Sequence, residues 1–277
     1  METLTANPLF QSGLLPFGIA LVAAFVLRPL GWFWSGLGFA LAYATAIYFI
    51  VGFQFTPLTS TRKIILLGGA AVLMGLLIDA LPKKYSSYLP WFIAFFAVVA
   101  GIWLVWPVLK RLEGQEYWIM FSATAAYSAW LMTWTESLRE QSARASSTAF
   151  ALGLGISISS VLGASALLGQ LGGTMAAAAG AYLLLLILNR SVSLGSSFCF
   201  PVAIFSALIG LSAVTYSGLT WYSLMPLALI PLAARLPVKE NWHPSLKTII
   251  TVLYPLPLAA ISIYITWQLD SSGDSLY

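Results

Sequence analysis

Formal charge is the scarcest thing in this chain. Only 8% of its 277 residues are Asp, Glu, Lys or Arg, against roughly 25% in a soluble domain. So few charges cannot cover a water-facing surface of this size, which excludes an ordinary soluble globule. Between Ala145 and Asn189 there is no Lys, Arg, Asp, Glu or His at all. One bilayer crossing takes roughly 20 apolar residues, so this stretch is long enough to cross, turn and cross back.

Other absences narrow the chemistry. There is one cysteine, Cys199, so no intramolecular disulfide forms; it sits in the apolar segment Phe198-Cys199-Phe200 and reads as a packing residue. A single histidine, His243, cannot build a bis-histidine haem site or a zinc triad. The chain holds no Walker GxxxxGK[ST], HExxH, CxxC, CxxCH or GxSxG pattern. No cofactor, metal or nucleotide is therefore expected, nor is an enzyme. The net charge of +4 does not point to nucleic acid, because the basic residues sit in short loops between apolar runs, where positive charge sets membrane topology.

What is present is apolar, at 60% of residues. The runs are continuous rather than alternating, which favours helices over barrel strands. They predict an all-α, polytopic transmembrane bundle of about ten spans. The expected segments are Leu9–Leu27, Trp32–Phe53, Ile64–Leu81, Trp91–Leu109, Tyr117–Ser137, Thr148–Leu171, Thr174–Asn189, Ser196–Thr215, Leu219–Ala234 and Leu246–Trp267. The count falls to eight or nine if the split at Gly172-Gly173 or the short ninth segment is not a separate crossing. Residues 1–277 form a single integral membrane domain in this reading, with no soluble domain. The segment Met1–Asn7 carries Glu2 and no basic residue, unlike a signal peptide, so the first run is expected to be a retained span.

With ten spans and an outer N-terminus, the inner loops hold Arg28, Lys83, Lys84, Arg139, Arg144, Arg190, Arg235, Lys239 and Lys247, nine of the 13 basic residues. The outer loops hold Arg62, Lys63, Lys110 and Arg111. This bias predicts a multi-pass protein of a cell membrane, with both termini on the outer side. The missing targeting segment fits a bacterial cytoplasmic membrane. Trp134 near the end of the fifth span and Trp267 near the end of the tenth are the one landmark of a five-plus-five inverted repeat.

Several positions are candidates for function. Gly155, Ser159 and Gly163 recur every four residues in the sixth segment, and Ser165, Gly169 and Gly173 form a second row. Such rows let helices approach closely, and the hydroxyls could instead line a polar path that Gln170 extends. The small residues continue through Ala176–Gly180, which predicts a tight hairpin of the sixth and seventh segments. Asp79 ends the third segment one turn before Lys83, as an interfacial ion pair or an intramembrane acid. Glu136 opens a mixed-charge stretch to Arg144 that reads as a solvated connector or a gate. Arg190 is an interfacial anchor or an anion contact. Pro201, Pro226, Pro231, Pro255 and Pro257 fall in or near the later helices, as packing kinks or as breaks beside a cavity.

Two function classes follow. One is a small secondary transporter or channel for a neutral or amphiphilic solute. The other is a non-catalytic membrane subunit, assembly factor or scaffold. The expected partners are the lipid bilayer and other membrane subunits.

Overall fold

The computed structural model describes residues 7–31, 34, 36–53, 55–81, 89–163, 165–239 and 241–271. Among them the chain is helical throughout, with no strand. The helices are α1 (Phe10–Leu30), α2 (Leu37–Ile50), α3 (Ser60–Ala80), α4 (Leu89–Leu109), α5 (Gly114–Glu136), α6 (Ser142–Leu162), α7 (Ala166–Ile187), α8 (Ser196–Tyr216), α9 (Trp221–Ala233), α10 (Pro244–Leu253) and α11 (Leu256–Ser271). The last two run on as one rod interrupted at Tyr254-Pro255. Seven rods are long and apolar enough to cross a bilayer: α1, α3, α4, α6, α7, α8 and the α10–α11 rod. The helices α2 and α9 are apolar but short, at 14 and 13 residues, and α5 is long but more polar.

The bundle is organised around α8, in which every residue from Ser196 to Ala213 is buried. A helix apolar on all sides has no face for water and takes the centre. Helices α3, α5, α4 and α6 pack around it. The α3–α8 interface is made by small residues on one face of α3. A Cβ at Gly68 would collide with the Phe205 ring, and one at Gly75 with the Ser196 carbonyl.

The expected break at Gly172-Gly173 is not where the chain turns. Helix α6 ends at Leu162, and α7 begins at Ala166 with Ser165 as its N-cap, the Ser165 hydroxyl accepting from the Leu168 N–H at 3.4 Å. Gly155 and Ser159 therefore lie on α6 and Gly163 caps it, whereas Gly169 and Gly173 belong to α7 behind the Ser165 cap. The two rows of small residues sit on different helices. Gln170 is half-buried on α7, and its backbone carbonyl accepts from the Thr174 hydroxyl at 2.9 Å.

The physical reason for the shifted break is the close approach of the two backbones. A Cβ at Gly172 would lie 2.8 Å from the Ser157 N, and one at Gly153 would lie 2.5 Å from the Ala176 N. Glycines that read as a turn are instead the contact surface between two uninterrupted helices. The Ser157 hydroxyl donates to the Gly169 carbonyl across that surface at 2.7 Å.

The two ends of the bundle differ. At one end, the segments after α5, α7 and α9 meet. The Leu194 N–H donates to the Ser142 hydroxyl at 3.2 Å, Arg144 donates to the Leu236 carbonyl at 3.4 Å, and Arg235 donates to the Ser137 hydroxyl. Arg139, Arg144, Arg190, Arg235, Lys239 and Lys247 all belong to this arginine-rich end. The opposite end holds Arg62, Lys63, Lys110 and Arg111.

Two alanine substitutions on α3 test the α3–α8 contact. Gly75→Ala should lower stability by about 1–3 kcal/mol, because its methyl meets backbone that cannot move aside. Gly69→Ala, with nothing within 4 Å, should be neutral or stabilising by up to about 1 kcal/mol. Thermal unfolding in detergent reads both, and the reverse order would remove the contact.

Candidate functional site

The first turn of α8 lies inside the protein, and the first N–H groups of any helix lack partners within it. Its N-cap is Gly195, which has no side chain to offer. The partner comes from α3 instead. Asp79 is 6% exposed. Its Oδ1 accepts from the Ser196 N–H at 2.7 Å and its Oδ2 from the Ser197 N–H at 2.8 Å. A Cβ at position 195 would strike the Asp79 carboxylate, so glycine is required there for space. The helix N-terminus carries partial positive charge, which favours the carboxylate.

A second carboxylate reaches the same turn from α5. Glu136 is 5% exposed, and the Ser196 hydroxyl donates to its Oε1. Arg139 approaches that oxygen at 3.5 Å. The Oε2 is buried and has no partner among the described residues. Glu136 also forms part of the wall of a cavity of about 320 Å³, with Leu89, Pro90 and Ile93 of α4, Thr133 of α5, and Arg139, Glu140 and Gln141 of the following turn. The cavity opens at the arginine-rich end.

This corrects one expectation. Glu136 is not part of a solvated connector: α5 ends at Glu136, and Leu138 beyond it is fully buried. Asp79 is buried within the protein, with both its oxygens accepting from α8; Lys83, its expected ion partner, lies outside the described residues. The pairing of Asp79 with Ser196 spans 117 positions of sequence, and no local pattern announces it. The readable signal is the α3 spacing, in which Gly68, Gly75 and Asp79 share one face.

The other candidates fall elsewhere. Ser159 is buried and its Oγ lies 3.2 Å from Ser262 Oγ; Ser262 donates to the Ser223 carbonyl at 2.7 Å, and Thr266 to the Ser223 hydroxyl at 2.9 Å. These hydroxyls join α6, α9 and α11 in one buried chain. Gly155 packs against Leu227 and Ala259. Ser165 caps α7, and Arg190 is exposed beside Asn189, whose φ is 57°. None of these residues lines the cavity at Glu136, a second, apolar cavity of about 280 Å³ between α2 and α3, or a third of about 360 Å³ bordered by Arg144 and Lys247.

Lys63, expected in an outer loop, is instead 8% exposed in the first turn of α3. Its Nζ donates to the Trp103 carbonyl at 2.9 Å and stands 5.2 Å from the centre of the Trp103 ring. Pro107 is four residues on and has no N–H to give that carbonyl, so the lysine takes the vacant place. Among the described residues, no group of three or more His, Cys, Asp or Glu is placed to hold a metal ion.

An all-helical fold with seven rods of bilayer-crossing length and apolarity defines a multi-pass membrane protein. No protein-family model matches the chain, and comparison with curated proteins finds no significant similarity.

The Asp79 cap and the Ser196 hydroxyl bond can be separated by substitution. Asp79→Ala leaves two buried N–H groups without an acceptor and should cost about 2–5 kcal/mol. Ser196→Ala removes one hydroxyl donor and should cost about 1–2 kcal/mol. Equal melting temperatures for wild type and Asp79→Ala in detergent would rule out the cap.

Proposed function

We propose that the protein is a small secondary carrier for a neutral or amphiphilic solute, and not an enzyme. The observation that carries this reading is the cavity at the arginine-rich end with a buried carboxylate in its wall, one oxygen of which has no bond among the described residues. Ionisable groups inside membrane bundles are costly and mark solute or ion paths by default. The opposite side of the bundle is held shut by the hydroxyl chain from Ser159 to Thr266. An open mouth at one end and a closed seam towards the other is the arrangement of a carrier in one of its two states. The break at Tyr254-Pro255 lies in the rod that supplies Ser262 and Thr266, which gives the seam a place to bend.

The apolar cavity between α2 and α3, floored by Tyr43 and Phe205, supports an amphiphilic rather than a strongly charged solute. A five-plus-five organisation belongs to the same reading, since it makes α3 and α8 counterparts and these pack against each other. The positive-inside rule turns the arginine-rich end, and the cavity with it, to the cytoplasm of a bacterial membrane, with both termini outside.

Cysteine reactivity in a Cys199→Ala background tests the carrier against the scaffold. Thr133→Cys, in the cavity wall, should react with a membrane-impermeant thiol reagent from the arginine-rich face. Ser159→Cys should react from the other face, at least about tenfold more slowly, as the minor state opens. A Ser159→Cys that never reacts from either face would overturn the carrier, and a stoichiometric second subunit leaving the membrane with the protein would then favour the scaffold.

A further inference from the structure

We infer that Glu136 is a reversible proton-binding site, reached by water through the cavity at the arginine-rich end. As the coupling site of the carrier it rests on the reading above; as a proton site it stands on geometry alone. Two carboxylates meet at one helix turn, and their bonding is unequal. Asp79 has a backbone N–H on each oxygen. Those donors belong to the α8 backbone and stay in place. Among the described residues, the donors to Glu136 are on Oε1, the Ser196 hydroxyl and the more distant Arg139. Its Oε2 is buried and bare among the described residues.

A buried ionised carboxylate with one oxygen lacking a protein donor is expensive, and a second carboxylate nearby adds to the cost. A proton on Oε2 removes both penalties and leaves Oε1 as the carbonyl oxygen that Ser196 already addresses. Among the described residues, the charged groups around Glu136 are Asp79 from α3 and Arg139 and Glu140 from the turn after α5, with Arg235 beyond Ser137; α8 contributes the Cys199 thiol. The portion of α4 lining the cavity, Leu89, Pro90 and Ile93, contributes no charge. Arg139 makes the ionised form tolerable, so both forms are within reach. The cavity is roomy enough for several waters at roughly 30 Å³ each, so the proton comes from and returns to bulk water. A metal cation is the poorer occupant, because among the described residues no group of three or more His, Cys, Asp or Glu is placed to hold one.

Infrared difference spectroscopy of the full chain in detergent, between alkaline and acid buffer, tests this. Wild type should gain a high-frequency carbonyl band of a buried carboxylic acid that shifts in heavy water. Glu136→Gln, which can still accept from Ser196, should lose that band, and Asp79→Asn should keep it. Ser196→Ala should move the band to higher frequency without abolishing it, which serves if Glu136→Gln does not fold. A band that survives in Glu136→Gln, or stays in place in Ser196→Ala, would overturn the proton site. A band lost in Glu136→Gln beside an unreactive Ser159→Cys would keep the site and remove the carrier; a persistent band beside a reactive Ser159→Cys would do the reverse.

Discussion

The constraint on which the rest of this structure depends is the need to satisfy the first turn of α8 away from water. Lipid offers no donor or acceptor, so each backbone polar group must find a partner within the protein. A central helix gains the most from burial and has the most exposed need at its ends. Here the answer is a carboxylate from α3, with a glycine at the cap position to admit it and another at Gly75 to bring α3 close enough. The acid, the two glycines and the serines of α8 form one device. Removing any of them changes how near α3 can stand to the core.

The same accounting explains the buried cation. Proline in α4 strips one carbonyl of its helical donor, and the nearest donor that can reach it is a lysine from α3. The indole face beside the ammonium supplies a second favourable contact. Lys63 and Asp79 are therefore both answers to unsatisfied backbone. They stand 16 residues apart, about 24 Å along α3 at 1.5 Å per residue. One helix thus ties down its neighbours at both ends, with opposite charges.

The helical rods are legible in the sequence because apolar runs of that length have one solution in a bilayer. Their ends are less so. Small and apolar residues run without a charge through α6 after Arg144 and through α7, so hydropathy carries no mark of the turn, while the cap chemistry of Ser165 does. The rows through Gly155 and Gly169 are visible as contact surfaces, but their partners are not. The acid site is half visible: Asp79 and Glu136 stand out as charges at helix ends, yet nothing local separates a buried acid from one at the interface. Burial of a charge depends on a partner 60 or 117 positions away, and a one-dimensional reading supplies no such distance. Lys63 is obscured for the same reason, since a basic residue before an apolar run looks like a topology signal until α4, with Pro107, is brought beside it.

Two of the buried polar regions of the bundle, the Ser159–Thr266 seam and the Glu136 site, differ in how completely they are bonded. Along the Ser159–Thr266 seam each hydroxyl has a partner, so that region is complete as it stands. Such a seam can be opened only by exchanging its bonds for others, which holds it shut until helices move. At Glu136 one oxygen is left without a bond among the described residues, beside a cavity. An incomplete region next to open volume is where water, a proton or a solute group lowers the energy of the protein on arrival. On the carrier reading proposed above, one side of the bundle gains by admitting something, and the other must first give something up.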